Sequence, residues 1–239
     1  MSNVAYKRGQ VEWALWRAVP LSRGTTDLPS PIFKTRIKRL LDLDRDLDVT
    51  ALGARPASDF AFVAVTDGGS GVEAQYASFD VFCIAIALDL LDIGFKQGEI
   101  VYLMRHLRDT LEDWFEELIR RPSLNDRQLR LAAKFPNLPI IVRPGKPPLA
   151  DARVFLILNR IEMTELLPVA KVKGKGLTAV FHEPLVCQGI VQLQERLGAL
   201  MPLHRRTVIA MEIAAVAQAV DAFLAIAPLV PRGRPRLNQ

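Results

Sequence analysis

From Ile100 the apolar residues recur at Leu103, Met104, Leu107, Leu111, Trp114, Phe115 and Leu118, with successive spacings of 3, 1, 3, 4, 3, 1 and 3. These spacings trace one face of an α-helix for about five turns. They predict a helix that begins near Gln97 and stops before Pro122. Its outer positions carry Asp109, Glu112, Asp113, Glu116 and Glu117, an acidic face that argues against DNA contact there. A second helical pattern runs from Phe79 to Ile93, with Ser78 as the expected N-cap. Gly94 divides the two patterns and suits the left-handed position that closes a helix. Glu99 then falls in the first turn of the next helix, where the helix dipole favours a carboxylate.

Upstream, Gly9 to Arg17 predicts a short amphipathic helix with Val11, Ala14 and Leu15 on one face. A Pro/Gly/Ser-rich join leads to a further helix over 32–45, "IFKTRIKRLLDLDR". Ile32 or Phe33, Ile37, Leu40 and Leu41 form its apolar side, and Lys34, Arg36, Lys38 and Arg39 its polar side. "FAFVAVT", the turn "DGGSG" and "VEAQY" together predict a β-hairpin between Phe60 and Tyr76.

A proline-rich join, "KFPNLPIIVRPGKPPLAD", suggests a domain boundary near residue 136. Beyond it, "RVFLILNRIEM" and "LTAVFHEPLVC" predict strands, with "VAKVKGKG" as a basic connection between them. Helices are expected over Gln188 to Leu200 and Arg205 to Ile226, and the tail "PLVPRGRPRLNQ" is expected to be disordered. The fold class that follows is mainly α with a small β component.

Composition narrows this picture. The 239 residues suffice for one large domain or two small ones, and half of them are apolar. A formal charge of +5 and a pI near 9.4 favour an anionic partner. Cys83 and Cys187 lie in apolar sequence without metal-ligand spacing, so two buried free thiols in a reducing cytoplasm are expected, and no metal site. The N-terminal residues "MSNVAYKRGQ" do not have the pattern of a secretory signal. Thr207 to Val230 is the most membrane-like stretch, but Glu212, Gln218 and Asp221 point in different directions on a helix. A buried or inter-subunit helix is expected there, with no membrane partner.

His106, His182 and His204 are scattered, and His182-Glu183 lacks metalloprotease spacing. "DGGSG" and "KGKG" are not phosphate loops. Trp13 and Trp16 are expected in the core or at an interface. No catalytic, cofactor-binding or metal residue is expected, and the chain is not expected to be an enzyme.

The order from residue 9 to residue 119 is helix, basic helix, hairpin, helix, glycine corner, long helix. With Tyr76, Asp80-Val81 and the corner Leu91, Gly94, Phe95, Glu99 and Ile100 in "LLDIGFKQGEIVYLM", it resembles the winged helix-turn-helix domain of the MerR family. That resemblance implies a DNA-binding domain over 1–135, a homodimer, and a bacterial-type transcription regulator that is cytoplasmic and nucleoid-associated. The remainder, 136–230, is then an α+β domain for dimerisation, sensing of a small-molecule effector, or binding a partner such as RNA polymerase. The chain departs from the family's pattern in the long join from Ala18 to Pro31. It also has Glu73 and Gln75 where the wing commonly carries an arginine.

A helix with a cationic outer side suits the major groove of double-stranded DNA, so Lys34, Thr35, Arg36, Lys38 and Arg39 are the candidate contacts. A solvated basic face remains open, because Asp42, Asp44, Asp46 and Asp48 follow at once. Tyr76 is added by the family resemblance. The tail 231–239 resembles an AT-hook core, with Arg232, Gly233, Arg234 and Arg236 suited to a narrow minor groove. Two further readings stay open: an architectural, chromosome-associated DNA-binding protein, and an enzyme or ligand-binding protein with its site in the C-terminal domain.

Overall fold

The computed structural model describes residues 5–19, 28–47, 58–62, 74–121, 153–162, 171–172, 175–176, 179–181, 185–200 and 207–229. The N-terminal elements are β1 (Tyr6–Lys7), α1 (Arg8–Ala18), α2 (Pro31–Asp46), β2 (Gln75–Tyr76), α3 (Ser78–Asp92) and α4 (Gln97–Arg120). The C-terminal elements are β3 (Val154–Glu162), β4 (Lys171–Val172), β5 (Lys175–Gly176), β6 (Ala179–Phe181), β7 (Leu185–Gln188), α5 (Gly189–Leu200), β8 (Thr207–Glu212) and α6 (Ala214–Ala225). The described residues are thus mainly helical, with small antiparallel sheets.

Every residue of α3 from Phe79 to Leu88 is buried, all of them apolar except Asp80, so this helix is covered all round and forms the centre of the fold. Helices α1, α2, α4 and α6 pack around it. The seam of α4 faces inward: Ile100, Leu103, Met104, Leu107, Leu111, Phe115 and Leu118 are all buried. It is covered within the chain by α2, α3 and α6.

The corner between α3 and α4 is closed by two backbone hydrogen bonds. Phe95 N–H donates to Leu90 O at 3.0 Å and Gly94 N–H to Leu91 O at 3.1 Å, with Gly94 at φ +96°. This is the Schellman arrangement, which satisfies the last carbonyls of α3 and buries Phe95. The start of α3 differs from expectation. Ser78 lies inside the first turn, and Asp80 closes that turn by accepting from Ala77 N at 2.9 Å. Glu99 plays the same part for α4, accepting from Lys96 N at 3.1 Å.

β3 is the central strand of the larger sheet. β8 runs along one edge, from Phe155↔Glu212 to Arg160↔Thr207, and β7 and β6 share the other edge. Alternate residues face opposite ways. Val154, Leu156 and Leu158 join the helical core, while Phe155 and Ile157 pack with Cys187 and with Leu193 and Leu197 of α5. Helices therefore cover both faces of the sheet.

One expectation changes in this half. Residues 207–212 form β8 instead of the start of a helix, because the β-branched Thr207, Val208 and Ile209 complete a free edge of β3. Glu212 then caps α6, accepting from Ala214 N at 3.0 Å and Ala215 N at 2.9 Å. Within the strand expected over 177–187, the described residues 179–181 and 185–187 are strand, in β6 and β7, both antiparallel to β3, while 177–178 and 182–184 lie outside the described residues. The basic connection contains a small ladder, β4 with β5. Most of the hairpin expected from Phe60 to Tyr76 lies outside the described residues. Residues 58–62 are irregular, residues 63–73 are those not described, and β2 pairs with β1 in the register Tyr6↔Tyr76.

The boundary placed near residue 136 also lies outside the described residues. Packing continues across it, since α6 lies against α1, α3 and α4 in one core. Gln218 of α6 donates to Leu118 O at 3.1 Å and to Arg121 O at 2.9 Å, satisfying carbonyls at the end of α4. Cys83 and Cys187 are free and buried. Among the described residues, no helix is long and apolar enough to cross a membrane.

Candidate nucleic-acid interface

Ser30 and Pro31 start α2: Ser30 Oγ accepts from Phe33 N at 3.2 Å, and Pro31 occupies the first turn, where a missing N–H costs nothing. From there the helix divides cleanly. Phe33, Ile37, Leu40, Leu41 and Asp44 are buried, while Lys34, Thr35, Arg36, Lys38 and Arg39 are all exposed. Five of the sequence-predicted contact residues therefore share one solvent-facing surface.

Their electrostatic states differ. Arg36 Nη1 pairs with Asp92 Oδ1 of α3 at 2.7 Å. Lys38 and Arg45 both pair with Asp42, and the hydrogen bond from Lys38 holds the Asp42 carboxyl below its ordinary value. Lys34 and Arg39 make no ion pair with any described residue. Thr35 Oγ1 donates to Pro31 O at 2.8 Å.

Tyr76 does not join this surface. It is 3% exposed, because the β1–β2 ladder seats its ring in the core, and burial pushes its hydroxyl pKa up. It is thereby removed from the contact set. Arg232, Gly233, Arg234 and Arg236 lie outside the described residues.

What holds α2 in place was hidden among its acidic residues. Asp44 reads locally as one of a solvated run, yet it falls on the helix's apolar stripe, four residues beyond Leu40. Its carboxylate accepts from Ala61 N at 2.9 Å and 3.1 Å, from Phe62 N at 3.2 Å and from Arg105 Nε at 2.9 Å. Arg105 also donates to the backbone carbonyls of Asp44 and Leu47, closing the C-terminal end of α2. One turn on, Arg108 donates to Asp80 Oδ1 at 2.6 Å and to Ala61 O at 2.9 Å. Burial pushes the Asp44 and Asp80 carboxyls up, while their hydrogen bonds to Arg105 and Arg108 pull the other way. Two arginines of α4 thus tie α2, α3 and the segment 60–62 together. The available signal was their place on the inward side of the α4 seam.

Elsewhere, Trp16 packs edge-on against Phe33 with centroids 5.1 Å apart, fixing α1 to α2. Arg17 lies over both Trp13 and Phe223, joining α1 to α6. Among the described residues, no group of three or more His, Cys, Asp or Glu side chains is arranged to hold a metal ion. Comparisons with protein families, curated proteins and solved structures find no match for this chain.

Proposed function

We propose that this protein is a DNA-binding transcription regulator that presents α2 to the major groove of double-stranded DNA. The observation that carries this reading is the division of α2. Lys34, Thr35, Arg36, Lys38 and Arg39 are exposed on one side, while the other side is anchored in the core by apolar residues and by Asp44. Cations held on a rigid helix meet phosphates at low entropic cost, and the first turns of such a helix reach the base edges.

The element order β1, α1, α2, β2, α3, α4, with β1 paired to β2, supports a MerR-like winged helix-turn-helix arrangement. In this reading the functional form is a homodimer on paired half-sites about 34–36 Å apart. The tail residues Arg232 to Arg236 would add minor-groove contacts. An effector or RNA polymerase would act through the C-terminal half.

The test is a salt series of binding to duplexes of varied sequence. Four phosphate contacts predict a log–log slope of about −3.6. A strong preference for one sequence supports the regulator, whereas a steep slope without preference identifies an architectural protein. Absence of binding at low salt, or unchanged binding by a folded Lys34→Ala/Arg39→Ala variant, overturns the assignment to α2.

A further inference from the structure

Resting on the reading of α2 as a groove-binding helix, we infer that its first exposed turns select thymine-containing steps. Ile32 and Thr35 would pack against the C5-methyl groups of thymine.

Ile32 is 74% exposed, at the start of a helix whose neighbouring Phe33 takes the buried position. Helical geometry lines up Ile32, Thr35 and Arg39 at spacings of three and four, along the side facing away from the core. The Thr35 hydroxyl hydrogen is already engaged by Pro31 O. What this strip offers a partner is therefore aliphatic at its N-terminal end. Lys34 and Lys38 flank it on one side and Arg36 on the other, with Arg39 a turn further on.

That pattern identifies the partner. A protein surface complementary to Ile32 alone would be apolar, and it would leave without counter-charges Lys34 and Arg39, the two cations of this face that pair with no described carboxylate. Duplex DNA supplies both parts: two phosphate strands border the major groove, and the thymine methyl is the apolar group on the base edges within it.

The experiment uses the full chain and duplexes selected by it from a random-sequence pool. Each selected duplex is resynthesised with deoxyuridine in place of every thymidine, which removes only the methyl groups. The wild-type protein should lose about four-fold in affinity for each methyl it buries. Ile32→Ala and Thr35→Ser should each narrow the difference between the thymidine and deoxyuridine duplexes, with the salt slope unchanged. Circular dichroism would verify that both variants are folded.

Equal wild-type affinity for the two duplexes overturns the inference, while salt-sensitive binding lost in Lys34→Ala/Arg39→Ala still leaves the α2 reading standing. Full discrimination retained by both Ile32→Ala and Thr35→Ser also overturns it. So does a change in sedimentation of Ile32→Ala without a change in discrimination, which would assign the strip to a second copy of the chain. If the wild-type protein binds no duplex even at low salt, both readings fall, whereas binding without selection of any sequence overturns this inference alone.

Discussion

Arg105 donates from Nε to Asp44 Oδ1 at 2.9 Å in the protein interior, with both side chains buried. The pair links the C-terminal end of α2 to the middle of α4, and Asp44 also accepts from the backbone of Ala61 and Phe62. Asp44→Ala would strand a buried guanidinium and two backbone donors, at an expected cost of about 3–5 kcal/mol. Asp44→Asn keeps an acceptor for the backbone and should cost less. Urea unfolding of the two variants measures this, and a loss below about 1 kcal/mol for Asp44→Ala would mean that the pair does not anchor α2.

Gly94 holds φ +96°, and a Cβ placed there meets nothing within 4 Å. Its substitution should therefore cost backbone strain without a clash. Gly94→Ala is expected to destabilise by about 1–2 kcal/mol, and Gly94→Asn by less, since asparagine tolerates the left-handed region better. Chemical denaturation checks the order of the two. Equal stability of wild type and Gly94→Ala would contradict it.

Burial, reinforced by the charge of Asp92, pushes the Asp89 carboxyl up to about 6. Its unfolded value is about 3.9. Between these values the folded state binds more protons than the unfolded state, so this group's contribution favours folding below about pH 4 and is lost as pH rises toward 6. Asp89 is part-exposed, which screens the effect. After that discount, Asp89→Asn should stabilise the protein at pH 7 by about 1 kcal/mol, with the gain vanishing near pH 4. Denaturation of both proteins across that range tests the sign, and a destabilised Asp89→Asn protein at pH 7 would reverse it.

Asp42 occupies Lys38 and Arg45 with an intramolecular carboxylate. On the proposed groove-binding helix, that carboxylate competes with phosphate for both cations. Asp42→Asn should tighten binding to duplex DNA several-fold at low salt, and the gain should shrink as screening increases. Because Lys38 holds the Asp42 carboxyl below its ordinary value, the carboxylate stays charged from pH 5 to 8 and the gain should be level across that range. Titrations in two salt concentrations decide it. Unchanged or weaker binding at low salt would show that Asp42 faces no phosphate.

Much of the helical half was legible in the chain because helix period is a local property. The spacings from Ile100 to Leu118 identify the buried face of α4. Gly94 followed by Phe95 identifies the corner, and the two sides of α2 separate at Phe33, Ile37, Leu40 and Leu41. The exposed group from Lys34 to Arg39 follows from the same period.

Other features depended on partners remote in sequence. The stretch after Arg205 is apolar enough for helix or strand, and β3, some fifty residues earlier, draws its first part into β8. Glu212 and Gln218, two of the polar residues that argue against a membrane span, cap α6 and the end of α4. Tyr76, a candidate contact only through the family resemblance, is drawn inward by β1.

The amino-acid order by itself thus determined which faces of α2 and α4 are apolar and where the α3–α4 corner turns, because those follow from neighbours a few residues apart. Tertiary structure decided that Asp44, alone among the described aspartates of α2, turns inward to meet Arg105. A buried charge is tolerated only where a distant partner and backbone donors converge on it, and their convergence is a property of the packed chain.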